Sequence, residues 1–295
     1  MRVLCFGSLN TDYVYAVPHF TGAGETLAAT ARHTFPGGKG LNQSVAMARA
    51  GLEVWHAGAV GKDGGFLTEL LMQEGVRTEC VTVLPEVPTG HAVIQTEPGG
   101  NNCILLYGGA NRAVTEEMAD EVLRHFGAGD LLVLQNEISA LGHIIAAGKA
   151  RGMTVVLNPS PMDDTIAALP LENVDLILLN EVEAGQLSGQ TVTAENAAEA
   201  ADELRRRFPT ADIVLTLGAQ GAVYAGSESF SIPAVPVDAV DTTAAGDTFT
   251  GYFLAGIAGG LTPRAAMERA AKAAAIACTR LGAAPSIPCA AEVDG

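Results

Sequence analysis

The feature that most restricts how this chain can fold is a repeating alternation. Short, nearly unbroken apolar runs at 2–7, 53–60, 130–135, 153–158, 174–179 and 212–217 are separated by longer segments with helical spacing at 39–50, 65–74, 115–126, 139–151 and 194–208. A run that is apolar on both faces suits a parallel strand covered on both sides, and parallel strands need crossovers long enough to hold a helix. The pattern predicts an α/β fold with a doubly wound, mainly parallel sheet flanked by helices. No charge block, repeat or Pro/Ser linker divides the 295 residues, so 1–295 reads as a single domain with a small addition.

Two segments break the alternation. Residues 13–35 are rich in turn and β-compatible types, and 91–107 reads as a hairpin, with HAVIQTE and CILLY on either side of a PGGNN turn. Together they predict a small β-sheet beside the main domain. Active sites of open α/β sheets lie at the carboxyl ends of the strands, so a sheet projecting there is placed to act as a lid. Further on, 246–260 and 263–279 read as helices. Gly251, Ala255 and Gly259 lay a stripe of small residues along the first, which predicts close packing.

A formal charge of -16 argues against nucleic acid or an anionic membrane surface as the main partner and leaves small metabolites. The five cysteines (Cys5, Cys80, Cys103, Cys278 and Cys289) include no C-x-x-C pair, which fits a reducing, cytoplasmic setting rather than a disulfide framework or a zinc site. No apolar run approaches the roughly 18 residues of a membrane span, and the histidines show no paired-ligand spacing.

Five short stretches carry polar groups at strand ends or helix starts. In GSLNTD, Asn10 and Asp12 alternate in an extended segment and so share a side, offering an amide and a carboxylate suited to vicinal sugar hydroxyls; an Asx-type turn accounts for them too. In FPGGKGLNQ, residues 36–38 permit a tight turn and close ligand approach before a helix whose N-terminus favours anions, with Lys39 and Asn42 near that start. Lys39 is followed by Gly40 and Leu41 rather than Ser or Thr, so this is not a P-loop. In LNEVE, Asn180 and Glu183 share a face at a helix start, where they can hold hydrated magnesium or phosphate, or simply cap the helix. In LTLGAQGAVY, Thr216, Gly218 and Gly221 bracket a turn that fits a nucleotide contact or an ordinary hairpin. In VDTTAAGDTF, Ala244, Ala245 and Gly246 form a nest of backbone N–H groups suited to the charge on a transferring phosphoryl group. Asp247 beside it reads as a general base or as a plain helix-start charge.

Taken together, GGKGLNQ, DTTAAGDTF and the ordered series GSLNTD, TGHAVI, GGAN, LNPSP, LNEVE, TLGAQG and TRLGAAPSIP resemble the ribokinase-like (PfkB) family of carbohydrate kinases over nearly the whole chain. The resemblance implies an ATP-dependent enzyme using magnesium and an activating potassium ion. Its implied acceptor is the 5-hydroxyl of D-ribose, the alternative being another sugar, a sugar acid or a nucleoside. It further implies that Asn10, Asp12, Gly38, Lys39, Asn42 and Glu137 surround the sugar and that Asp247 is the base beside an anion hole of Ala244, Ala245 and Gly246. Asn180, Thr216, Gly218, Ala219, Gly221 and Gly246 are implied to face the nucleotide, with Glu183 near magnesium. Asp241, Thr243, Ala277, Arg280, Gly282 and Ser286 correspond to the potassium site, and a homodimer joined through the lid sheets is implied. Two positions depart from the pattern: Leu41 replaces a smaller residue, which predicts a reshaped sugar pocket, and Ala271 stands where relatives often carry Asn or His near the adenine.

Overall fold

The first predicted run forms β1 (Val3–Phe6), and the turn-rich segment after it forms β2 (Asn10–Ala16) and β3 (Ala31–Gly37). Next come α1 (Lys39–Arg49), β4 (Val54–Val60), α2 (Gly65–Gln73), β5 (Arg77–Val83), β6 (Gly90–Thr96) and β7 (Asn102–Tyr107). The chain continues through α3 (Glu116–Leu123), β8 (Leu131–Gln135), α4 (Leu141–Ala150), β9 (Thr154–Asn158), β10 (Leu176–Asn180), α5 (Glu181–Ser188) and α6 (Ala197–Arg207). It ends with β11 (Asp212–Thr216), β12 (Ala222–Ala225), β13 (Ser229–Ile232), α7 (Ala245–Ala258), α8 (Pro263–Cys278) and a last short helix, Ala290–Asp294. This computed structural model describes residues 1–99 and 101–295, so Gly100 of the PGGNN turn lies outside the described residues.

Among the described residues the strands form a nine-stranded sheet, β13-β12-β11-β10-β9-β8-β1-β4-β5, and a four-stranded sheet, β3-β2-β6-β7. In the large sheet, β11 pairs antiparallel with β12 and β12 with β13, and the remaining pairs are parallel. The predicted hairpin is β6-β7, paired from His91↔Tyr107 to Thr96↔Asn102, and β2 runs parallel to β6, so the two excursions join in one sheet. That sheet begins at Asn10, three residues before the predicted boundary.

Successive residues of each central strand enter opposite cores, which explains the unbroken apolar runs. Leu4, Phe6, Leu132, Leu134, Ile177, Leu179, Ile213 and Leu215 pack on the side of α3, α4 and α6. Val3, Cys5, Leu131, Val133, Leu178 and Val214 pack on the side of α1, α2, α7 and α8. Leu41 belongs to this second core and is fully buried, so its side chain faces the core rather than a ligand. The small-residue stripe on α7 also needs correction. A Cβ at Gly251 would stand 2.4 Å from Ala46 Cβ, so α1 and α7 do meet there closely, but Gly259 is exposed at the helix end, and it is Gly256 that approaches Ala266 of α8. No described helix is long and apolar enough to cross a membrane.

Candidate active site

The carboxyl ends of the parallel strands converge on one rim. β8 runs out into Asn136 and Glu137, β9 ends at Asn158 opposite Gln135, and Asn180 and Thr216 end β10 and β11 side by side. The N-termini of α1 and α7 face this rim across a cavity of about 240 Å³, lined by Lys39, Asn158, Asn180, Glu183, Thr216, Gly246 and Asp247 among others. Strand ends and helix starts both present unsatisfied backbone groups, and this is why polar chemistry collects here.

Asp247 lies in the first turn of α7 and is 7% exposed. Its Oδ2 accepts from Asn42 Nδ2 at 3.1 Å and its Oδ1 from Gln43 Nε2 at 2.9 Å. It is therefore a buried carboxylate with one amide donor on each oxygen, rather than a solvated helix-start charge. The turn before it is strained: Ala244 adopts a left-handed conformation with φ 60. Ala245 N donates to Thr242 O at 3.2 Å and Thr248 N to Ala244 O at 2.8 Å, whereas the N–H groups of Ala244, Gly246 and Asp247 find no backbone acceptor among the described residues. The open donors thus differ from the expected trio by one place. A Cβ built on Gly246 meets nothing within 4 Å, so the space above them is clear.

On the sugar side of the sequence reading, Asn10 and Asp12 do share a face of β2. Asn10 is 3% exposed, and its Oδ1 accepts from Asn111 Nδ2 at 2.8 Å, which leaves its own N–H groups for a ligand. The Asp12 carboxylate lies flat over Gly37, where a Cβ would stand 2.1 Å from Asp12 Oδ2. Gly37 is needed to seat this side chain, a reason different from the ligand approach read from the sequence. Gly38 does turn the chain, with φ 97. Burial, reinforced by the nearby Glu137 carboxylate, pushes the Asp12 carboxyl up to about 7. The N-terminus of α1 has no side-chain cap of its own; Glu137 supplies one across the rim, accepting Lys39 N at 3.0 Å and also the Ser8 hydroxyl. Burial works against the Lys39 ammonium, but Asp247, Glu137 and Glu183 around it raise its pKa above the usual value. Lys39 is thus the electrostatic link between the Asp12–Glu137 pair and Asp247.

On the other wall, Asn180 and Glu183 form a capping box for α5: Asn180 Oδ1 accepts Glu183 N at 2.9 Å and Glu183 Oε2 accepts Asn180 N at 3.0 Å. The capping reading is what the hydrogen bonds show, while both residues also line the cavity. Thr216 reaches the cavity as well, but Gly218 and Ala219 lie in an exposed turn outside its lining, and Gly221 is packed against Ile232 O within the β11-β12 hairpin. Asp241 joins two loops: its Oδ1 accepts from Thr243 N at 2.9 Å and Oδ2 from Gly282 N at 2.9 Å. Burial opposes its charge, yet these donors hold its carboxyl below the usual range. Ala277 O accepts Arg280 N at 3.0 Å, Arg280 pairs with Glu292, and Ser286 is fully buried with its hydroxyl donating to Ala283 O at 2.8 Å.

Sequence reasoning assigned no role to Ser8, Gln43, Asn111, Gln135 or Asn158. Each is a buried or half-buried polar group hydrogen-bonded to a predicted site residue or to a neighbour of one. Their signal was present in part, since Ser8, Gln43, Asn111 and Asn158 fall within GSLNTD, GGKGLNQ, GGAN and LNPSP.

A buried carboxylate, a neighbouring ammonium and a helix start with open N–H donors are the parts needed to move a proton from a hydroxyl while negative charge is stabilised beside it. The pfkB family carbohydrate kinase model matches residues 1–290, and the chain belongs to that family. Among individual proteins, it is 36% identical to the ribokinase of Haemophilus influenzae over 96% of this chain and 94% of that one, and 37% identical to the ribokinase of Schizosaccharomyces pombe over 100% and 97%. The solved structure of Arabidopsis thaliana ribokinase complexed with ribose and ATP superposes with a TM-score of 0.88 at 30% identity, covering 99% of this chain and 97% of that one.

Proposed function

We propose that this protein transfers the γ-phosphoryl group of ATP to the 5-hydroxyl of D-ribose, giving ribose 5-phosphate. The observation that carries the reading is the buried Asp247 carboxylate, held by Asn42 and Gln43 beside the open N–H groups at the start of α7. Asp247 accepts the hydroxyl proton as the oxygen attacks, and the N–H groups of Ala244, Gly246 and Asp247 receive charge from the phosphoryl oxygens. Asn10, Asp12, Gly38, Lys39, Asn42 and Glu137 hold the sugar. Asn180, Glu183, Thr216, Gly246 and, along the edge of the site, Gly218, Ala219 and Gly221 hold the nucleotide. That ribokinases at 36% and 37% identity align end to end with this chain, and that one structural neighbour was solved with ribose and ATP, supports the choice of acceptor and donor.

Magnesium fits this wall. It is typically held by one or two carboxylates together with substrate phosphates, and Glu183 keeps one carboxylate oxygen outside the capping box. The ion supplies neutralisation of phosphate charge. Potassium is assigned to the Asp241 loops, with oxygens of Asp241, Thr243, Ala277, Arg280, Gly282 and Ser286 as the residues that would hold it; what supports this is that Asp241 ties the two segments together through Thr243 N and Gly282 N.

The small sheet acts as the lid over the sugar and as the contact in a homodimer. Its register puts Phe35, Ile104 and Leu106 on the same face as Asp12, and they are 37%, 57% and 42% exposed. Such a face favours covering by a second copy, and a monomeric mass by sedimentation removes this part of the proposal. The activity is tested by assaying ATP with a panel of ribose, 2-deoxyribose, other pentoses, ketoses, sugar acids and nucleosides, with and without potassium. Ribose is expected to give the highest kcat/KM, and a different preferred acceptor overturns the assignment.

A further inference from the structure

We propose that Gln43 is a positioning residue for Asp247, and that its amide is locked in one orientation by a directed chain of side-chain amides running from Leu178 through Asn158 and Gln43 to Gln135. The inference rests on reading Asp247 as the general base.

The direction of the chain follows from one fixed end. The Leu178 carbonyl belongs to β10 and can only accept, so Asn158 must turn its NH₂ toward it, at 2.8 Å. That leaves Asn158 Oδ1 facing Gln43. The Gln43 Nε2 group therefore points at two acceptors, Asn158 Oδ1 at 3.2 Å and Asp247 Oδ1 at 2.9 Å. Its carbonyl is turned away from the carboxylate and receives Gln135 Nε2 at 2.7 Å. With the amide flipped, Gln43 Oε1 would face two oxygens at once, and Gln135 would lose its acceptor.

The far end shows that this polarity is kept at a cost. Gln43 and Gln135 are both fully buried, and Gln135 Oε1 has no hydrogen-bond partner among the described residues. It is pressed onto Gly7, where a Cβ would lie 2.1 Å away. A buried carbonyl without a donor is unfavourable. Turning Gln135 over would bring that oxygen against Gln43 Oε1 instead, so the unpaired carbonyl is the consequence of aiming a donor at Gln43.

Together with Asn42 Nδ2 on Oδ2, the chain gives each oxygen of Asp247 one N–H from consecutive residues of α1. Two donors from one rigid helix fix the plane of the carboxylate and leave its other lone pairs toward the cavity. A base must hold that geometry to receive a proton during attack, and misplacement by about 1 Å costs about 100-fold in rate. Gln43 does not itself line the cavity and meets the lining only through Asp247 and Asn158, so its effect on the base passes through its hydrogen bond to Asp247.

The test is a double-mutant cycle on the full-length enzyme with ribose and ATP, using Gln43→Met, Gln135→Met and the pair, after thermal melts establish that each folds. If the wild-type chain does not phosphorylate ribose, the functional reading fails independently of this one. Given an active wild type, Gln43→Met is expected to lower kcat about 10- to 100-fold, with ribose KM within about threefold. Gln135→Met, which does not contact Asp247, is expected to lower kcat by several fold, and the double variant to be no slower than Gln43→Met alone. Asn158→Ser, at a half-buried position, replaces Gln135→Met in the cycle should the latter fail to fold. Losses that multiply, a KM effect at unchanged kcat, or a Gln43→Met kcat near wild type overturns the proposal.

Discussion

The Asp12 carboxyl links activity and stability through a single proton. Its folded pKa of about 7 stands roughly three units above its ordinary 3.8, because it is buried and Glu137 is near. The folded protein therefore binds this proton more tightly than the unfolded chain does, and its contribution is fully present below about pH 4 and lost as pH rises through about 7. At about 1.4 kcal/mol per unit, the ceiling on that loss is about 4 kcal/mol. Asp12→Asn removes the titration while keeping the shape of the side chain over Gly37. The stability of Asp12→Asn minus that of wild type, from urea unfolding, is expected to be near zero at about pH 4, to rise to about 2–4 kcal/mol by about pH 8, and then to level off. Titrating groups that are not coupled to Asp12 cancel in this difference. Ribose binding should run the opposite way: if sugar hydroxyls donate to ionised Asp12, ribose KM in wild type rises as pH falls below about 7, whereas in Asp12→Asn it is high and flat. A stability difference that does not change between about pH 5 and about pH 8 refutes the reasoning.

Gly246→Ala is expected to leave stability unchanged or raise it by about 0.5–1 kcal/mol, since a Cβ there meets nothing and the residue is helical; kcat should nevertheless fall at least about tenfold, because the methyl group occupies the space over the open N–H groups. Ala244→Gly should stabilise the fold by about 1 kcal/mol in urea unfolding, by relieving a left-handed alanine at φ 60. Asp247→Asn should lower kcat about 100- to 10,000-fold while ribose binding, followed by calorimetry, survives. Gly251→Val should cost about 1–3 kcal/mol and also lower kcat, because separating α7 from α1 at Ala46 draws Asp247 away from Asn42 and Gln43.

Much of this architecture was legible because both faces of the large sheet are covered. Val3 through Phe6 must be apolar at every position when alternate residues enter different cores, and such runs stand out against helices. Strands β5 and β13 were not identified, and β12 entered only through the hairpin reading of LTLGAQGAVY. RTECVTV lies at the sheet edge with partly exposed residues, and AVYA and SFSI are four residues each. At the site, residues with local signals were located correctly: Asp247 at a helix start, Lys39 and Asn42 after a glycine turn, Asn10 and Asp12 on alternate positions. Contacts across large sequence separations were not. Gln43 meets Asp247 only because Gly251 lets α1 and α7 approach, and Asn111 orients Asn10 from 101 residues away. Leu41 was misjudged because helical phase, rather than proximity to Lys39 and Asn42, decides which way a side chain points.

The capping box of α5, on the cavity wall, and the exposed strand β7, at the edge of the small sheet that carries Asn10 and Asp12, differ in compliance. Asn180 and Glu183 cannot shift without unfastening the first turn of α5, and the strands behind them are sealed on both faces. The small sheet, by contrast, ends in a strand that is exposed at all six residues. Segments with one uncovered face open at a smaller free-energy cost than buried ones. Amide hydrogens of β6 and β7 should therefore exchange well ahead of those of β8 to β11, and the acceptor, more than the nucleotide, should be what slows them.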